Sequence, residues 1–136
     1  MKQYYLSDLV HRKAEMLGDK EVLKIRDKQT EEWSSVSWKK LSGRIMDTAY
    51  ALCDYGVKEY SNVGIYMQNM AECFYLDFAL FANRAVSVPM YATSTVPQIE
   101  YIINEAQIEI IFAGEQFQYD NAYAAQKICR DRKSVV

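Results

Sequence analysis

A chain of 136 residues, half of them hydrophobic, has material for one core, since a domain of this size hides roughly two thirds of its extended-chain surface. With 16 basic against 18 acidic residues the formal net charge is −2, which leaves no electrostatic footprint for nucleic acid. The longest apolar run, Cys73 to Ala82, is broken by Asp77 and falls short of the ~20 residues of a bilayer span, and Met1 to Asp8 lack the basic region and apolar core of a signal peptide. A soluble, cytoplasmic protein with no transmembrane segment is expected.

Leu6, Leu9, Val10, Ala14 and Leu17 recur at helical spacing and lead to Gly18, so the spacing predicts an opening amphipathic helix, with Ser7 or a neighbour as its cap. Val22, Leu23 and Ile25, a polar turn at Asp27-Lys28-Gln29, and then Trp33, Val36 and Trp38 read as a small antiparallel hairpin standing apart from the rest of the chain. From Ser37 the period becomes helical again: Leu41, Ile45, Ala49, Leu52 and Cys53 form one stripe, and Gly56 marks the stop.

Beyond Gly56 come three strand-like apolar runs, Val63 to Met67, Ala85 to Pro89 and Ile108 to Ala113, about 22 residues apart. Parallel neighbours need a crossover of a dozen or more residues, usually helical, and both gaps carry helix signals. Asn69 with Glu72 reads as a capping box before a segment that is apolar nearly all round and so largely buried. Thr95 with Gln98, and Pro97 in the first turn, open a shorter, half-exposed helix with Ile99, Ile102, Ile103 and Ala106 on its apolar face. A further helix runs from Phe117 to Cys129, followed by a charged exit from Arg130 to Lys133, and Ser134-Val135-Val136 reads as the start of a fourth strand. The expected fold is α/β: a partial domain with a parallel βαβαβ sheet flanked by helices in residues 37–136, preceded by a helix and hairpin in residues 1–36. An unfinished sheet of this kind is expected to self-associate through its open edge.

Residues able to carry chemistry are few. Gly18, Gly43, Gly56, Gly64 and Gly114 are isolated, so neither a Rossmann fingerprint nor a phosphate loop is present. His11, the only imidazole, lies among polar neighbours and reads as solvent-facing. Cys53, Cys73 and Cys129 encode neither a disulfide framework nor a metal knuckle and read as reduced, mostly buried thiols. The carboxyl ends of the expected strands carry no acidic cluster, which argues against a magnesium-dependent phosphoacceptor. Thr93, Ser94 and Thr95 form a hydroxyl-rich loop before a helix and read as capping rather than anion binding. Asp77 reads as an edge residue or a backbone partner rather than a buried catalytic carboxylate.

Asn62-Val63-Gly64-Ile65, Asn69, the stretch Ala85 to Tyr91 and the stretch Ile99 to Ala106 together resemble the amino-terminal region of adenylate-forming enzymes. Trp38-Lys39-Lys40-Leu41 through Ala49 and Leu52 to Gly56-Val57 is similar to that family's first long helix and closing glycine. Pro89-Met90-Tyr91-Ala92-Thr93-Ser94 resembles the long-chain fatty acyl-CoA synthetases, where a Pro-x-Tyr-x-Thr run is usual. Arg84 departs from the pattern, standing where relatives commonly have glycine, and the preceding helix is expected to end on Asn83 in a left-handed conformation.

The resemblance implies a parent ligase that joins a fatty acid to coenzyme A through an acyl-adenylate, using ATP and magnesium. It places the phosphate loop, nucleotide contacts and catalytic lysine after the matched region, so no catalytic, cofactor-binding or metal-binding residue is assigned in this chain, which would be an inactive first quarter of the parent. The alternatives are a piece of another adenylate-forming ligase and a non-catalytic α/β interaction module.

Overall fold

The computed structural model describes residues 5–129 and 134–136. Helix α1 (Leu6–Leu17) precedes strands β1 (Glu21–Arg26) and β2 (Trp33–Ser37); α2 (Trp38–Asp54) leads to β3 (Asn62–Tyr66), α3 (Ala71–Ala82), β4 (Val86–Met90), α4 (Val96–Glu105), β5 (Ile110–Ala113), α5 (Gln116–Ile128) and β6 (Ser134–Val135). Strands β1 and β2 pair antiparallel, and the second sheet has the order β4-β3-β5-β6 with every pairing parallel. The α/β class, the hairpin and the parallel runs joined by helices are as the sequence predicts. Arg130 to Lys133 lie outside the described residues.

Alternation along β3 sets the layers. Val63 and Ile65 face a core shared with Val10, Val36, Leu41, Ile45, Leu52, Leu76 and Leu80, while Tyr66 faces a second core with Met90, Ile99, Ile103, Ile108, Ile111, Ala122 and Ala125. Helices α2 and α3 cover one side of the sheet, and α4 and α5 the other. Proline is tolerated at Pro89 because β4 is an edge strand with only β3 beside it.

Three helices end in the same way. At α2, the Val57 N–H donates to the Leu52 carbonyl (2.9 Å) and the Gly56 N–H to that of Cys53 (3.0 Å); at α3, Ala85 donates to Leu80 (2.9 Å) and Arg84 to Phe81 (3.1 Å); at α4, Ile108 donates to Ile103 (3.0 Å). Each is a Schellman-type exit in which a residue of positive φ, namely Gly56 (97°), Arg84 (56°) or Gln107 (49°), is followed by a buried apolar residue leading to the next strand. The hydrophobic contact at the position after the turn is what fixes the turn.

Several local expectations need correction. The left-handed residue after α3 is Arg84 and not Asn83, whose φ is −83°. The buried Ala85 belongs one position beyond the turn, which puts the turn on Arg84. Trp38 starts α2 instead of extending the hairpin, because Ser37 Oγ accepts the Lys40 N–H and caps the helix there. The Asn69–Glu72 box does not form: α3 is capped at Met70, which leaves Asn69 one residue too early. Ser7 does not cap α1, whose N-cap is Tyr5. Helix α3 is less buried than expected, with Leu76, Ala79 and Leu80 buried and Phe74, Tyr75, Phe78 and Phe81 half-buried.

Since an L-residue in the left-handed region costs roughly 1–2 kcal/mol and Gln107 is exposed, Gln107→Gly should raise stability by about 0.5–1 kcal/mol, read from the urea midpoint. Gly56→Ala, where the added Cβ meets nothing within 4 Å, should lower it through φ alone. Unchanged midpoints in both would contradict the assigned exits.

Candidate functional site

Open parallel sheets bind ligands at the carboxyl ends of their strands, where the direction of winding reverses. From β3 the chain passes through α3 to β4, then back past β3 through α4 to β5, so the reversal lies between β3 and β5. The segments leaving these strands are Met67-Gln68-Asn69 and Gly114-Glu115.

The two segments are tied to each other and to the hairpin. The Gly114 N–H donates to the Tyr66 carbonyl (3.0 Å), and a Cβ built on Gly114 would fall onto Met67, so the two residues pack directly against each other. Gln68 Nε2 donates to Glu115 Oε2 (2.8 Å), and Lys28 from the hairpin turn pairs with Glu115 Oε1. Beside it, between the hairpin and the start of α3, lies an open cleft of about 810 Å³. Its charged lining is mixed: Lys24, Arg26 and Lys28 face Asp27, Glu72, Asp77 and Glu115, and all three cations are in ion pairs with carboxylates. Asp27 shapes the hairpin turn by accepting the Gln29 and Thr30 N–H groups, both at 2.8 Å. These backbone bonds, that of Thr30 first, hold its carboxyl below the usual carboxylate range.

The second carboxyl-end feature is the loop after β4. Buried Tyr66 donates its phenol proton to the Ser94 carbonyl (2.7 Å) and accepts from Asn121 Nδ2 (3.3 Å), while Gln118 Nε2 donates to the Ala92 carbonyl (3.1 Å). Gln118 is 2 % exposed and its Oε1 has no partner among the described residues. Three polar side chains from β3 and α5 thus clamp a loop whose Tyr91 points into solvent, 87 % exposed. None of Tyr66, Gln118 and Asn121 stood out in the sequence. The available signal was a tyrosine closing an apolar strand, whose hydroxyl needs a partner once its ring is buried.

The residues singled out from sequence scatter across the molecule. Thr95 does open a capping box, its N–H donating to Gln98 Oε1 (2.9 Å), so the hydroxyl-rich loop serves the helix start. Asp77 accepts from Ser87 Oγ on β4 (2.6 Å), an edge contact between helix and strand. His11 is exposed beside Glu15 (3.4 Å). Of the cysteines Cys53 is exposed, Cys73 half-buried and Cys129 buried, so burial is less general than expected. Desolvation, reinforced by Asp77 and Glu72, pushes the Cys73 thiol up, and its proton is donated to the Gln68 carbonyl (2.9 Å), which makes it a poor nucleophile.

The model of the AMP-binding enzyme family matches residues 10–136. The chain belongs to that family. Among its relatives is the long-chain-fatty-acid–CoA ligase FadD15 of Mycobacterium bovis, 31 % identical over 81 residues, which are 60 % of this chain and 14 % of that protein. Long-chain-fatty-acid–CoA ligase 1 of Cavia porcellus is 41 % identical over 51 residues, 38 % of this chain and 7 % of the relative. The crystal structure of the long-chain-fatty-acid–CoA ligase FadD1 from Archaeoglobus fulgidus superposes with a TM-score of 0.84 at 20 % identity, covering 99 % of this chain and 28 % of that one. VinN superposes at 0.83 with 12 % identity, covering 99 % and 33 %. At these identities the solved structures establish the fold, and the part of this chain that matches the mycobacterial ligase covers 14 % of that protein's length.

The residues of this AMP-binding family member do not fit a nucleoside triphosphate or its magnesium ion. The one close glycine at the switch point faces Met67 and not an open anion nest, the cleft lining sets four carboxylates against three cations, and among the described residues no three His, Cys, Asp or Glu side chains converge as ligands.

Tyr66→Phe should cost about 1–3 kcal/mol in denaturant unfolding, because it strands the buried Ser94 carbonyl; an unchanged stability would remove Tyr66 from the clamp. The Asp27 carboxyl, depressed in the folded state, contributes stability that is present above its ordinary value of 3.8 and is lost as pH falls through the lower folded value. Its NMR titration midpoint should therefore lie below 3.8, and a midpoint at or above it would contradict the turn.

Proposed function

We propose that this chain is an amino-terminal part of a long-chain fatty acid–CoA ligase, a scaffold on which the parent's catalytic machinery is assembled. The observation that carries the reading is the sequence match to long-chain-fatty-acid–CoA ligases at 31 % identity over 81 residues. The fold by itself is shared with VinN, which was solved in complex with L-aspartate. In this reading residues 1–36 and 37–136 are the helix-hairpin and parallel-sheet parts of one incomplete large domain.

The parent protein activates a fatty acid with ATP and magnesium as an acyl-adenylate, releasing pyrophosphate, and coenzyme A then displaces AMP to give the thioester. No residue here is assigned a catalytic, nucleotide-binding or metal-binding role. Three free thiols suit a reducing compartment, and we place the parent in the cytoplasm. The open edge of β4, where Val86 is 44 % exposed, is the surface through which the isolated chain self-associates.

The purified chain should show no fatty-acid-dependent ATP–pyrophosphate exchange and should sediment with a concentration-dependent coefficient. Measurable exchange would reject the scaffold reading, and a monomer at all concentrations would reject the edge contact.

A further inference from the structure

Among the described residues, Gln118 Oε1 is the one buried side-chain acceptor without a donor. Gln118 is 2 % exposed, and its Nε2 donates to the Ala92 carbonyl (3.1 Å). That bond fixes which way the amide lies, because turning it over would set two oxygens against each other. The unsatisfied atom is therefore an acceptor, and it carries a desolvation penalty that folded proteins rarely leave uncompensated.

The surroundings decide what compensates it. Ala92 lies inside a turn closed by the Ser94 N–H on the Tyr91 carbonyl (2.9 Å). Oε1 shares a carbon with the nitrogen that holds Ala92, so it lies close to this turn. Asn121, three residues on, shares the same side of α5 and donates to Tyr66 Oη (3.3 Å), which in turn donates to the Ser94 carbonyl (2.7 Å). Ser94, 5 % exposed, adds a hydroxyl to the group.

None of Tyr66, Ala92, Ser94, Gln118 and Asn121 supplies a carboxylate, so a cation held among them would be a buried charge without a counter-charge. Burial of Gln118 excludes a larger organic molecule at Oε1. What is required is a small, neutral donor, and water meets each condition. Ser94 also lines an open pocket of about 350 Å³ with Tyr91, Pro97 and Tyr101, which gives water a path from solvent to the turn.

We infer that the turn after β4 encloses a water molecule that donates to Gln118 Oε1 and takes its remaining bonds from polar groups of Tyr91 to Ser94. The position of the exposed Tyr91 then rests on a hydrated clamp and not on direct contacts alone. The inference goes beyond the ligase reading and does not depend on it. The test is a diffraction structure of the 136-residue chain. A water oxygen should stand about 2.5–3.2 Å from Gln118 Oε1 and within the same range of a second polar atom of the turn. In solution, Gln118→Met should lose one long-lived water, counted by magnetic relaxation dispersion of the water oxygen. A protein donor on Oε1, no density beside it, or an ion held by several oxygens at about 2.3–2.6 Å would overturn the inference. So would an unchanged water count in a folded Gln118→Met, and if that variant does not fold the diffraction result decides alone. Any of these failures leaves the ligase reading standing, while exchange activity in the isolated chain would sink that reading and not this one.

Discussion

Strand β3 is packed from both faces at once, and the position of every other element depends on that double burial. Val63 is fully buried, Ile65 nearly so, and both face the α2–α3 side; Tyr66, also fully buried, faces the α4–α5 side. Between them Gly64 carries no Cβ, and a methyl there would stand 2.7 Å from Met90 Cε, so neighbouring side chains close over the strand. A strand with two covered faces needs helices on both, and parallel neighbours on each edge supply them through their crossovers.

The crossovers work because each helix is stopped at a set point. A left-handed residue turns the chain, and the next residue drops into a core: Val57 after α2, Ala85 after α3, Ile108 after α4. Two of the three left-handed positions hold Arg84 and Gln107, so the strain of a side chain at positive φ is carried by burial of the apolar residue one position on. At Arg84 an ion pair with Glu59 (2.8 Å) adds to this, although both partners lie at the surface and such a contact contributes little.

Much of this was legible in the residues. Three apolar runs with helical gaps specify parallel strands because no short turn can join them, and Thr95, Pro97 and Gln98 specify a helix start through contacts made within four residues. Features that depend on distant partners were not legible in the same way. Asn69 and Glu72 have the spacing of a capping box, yet the helix begins one residue late, and Arg84 is left-handed because of where Ala85 is buried. The clamp of Tyr66, Gln118 and Asn121 on the loop after β4 joins residues up to 55 positions apart, so no local pattern announces it. The packing of Met67 against Gly114 is hidden for the same reason.

The most direct check of this architecture is amide hydrogen exchange resolved by residue. With β3 bonded to a parallel neighbour on each edge and covered on both faces, the amides of Val63 to Tyr66 should exchange most slowly, well behind the hairpin of β1 and β2. Exchange in β3 as fast as in that hairpin would mean that it is not the centre of the fold.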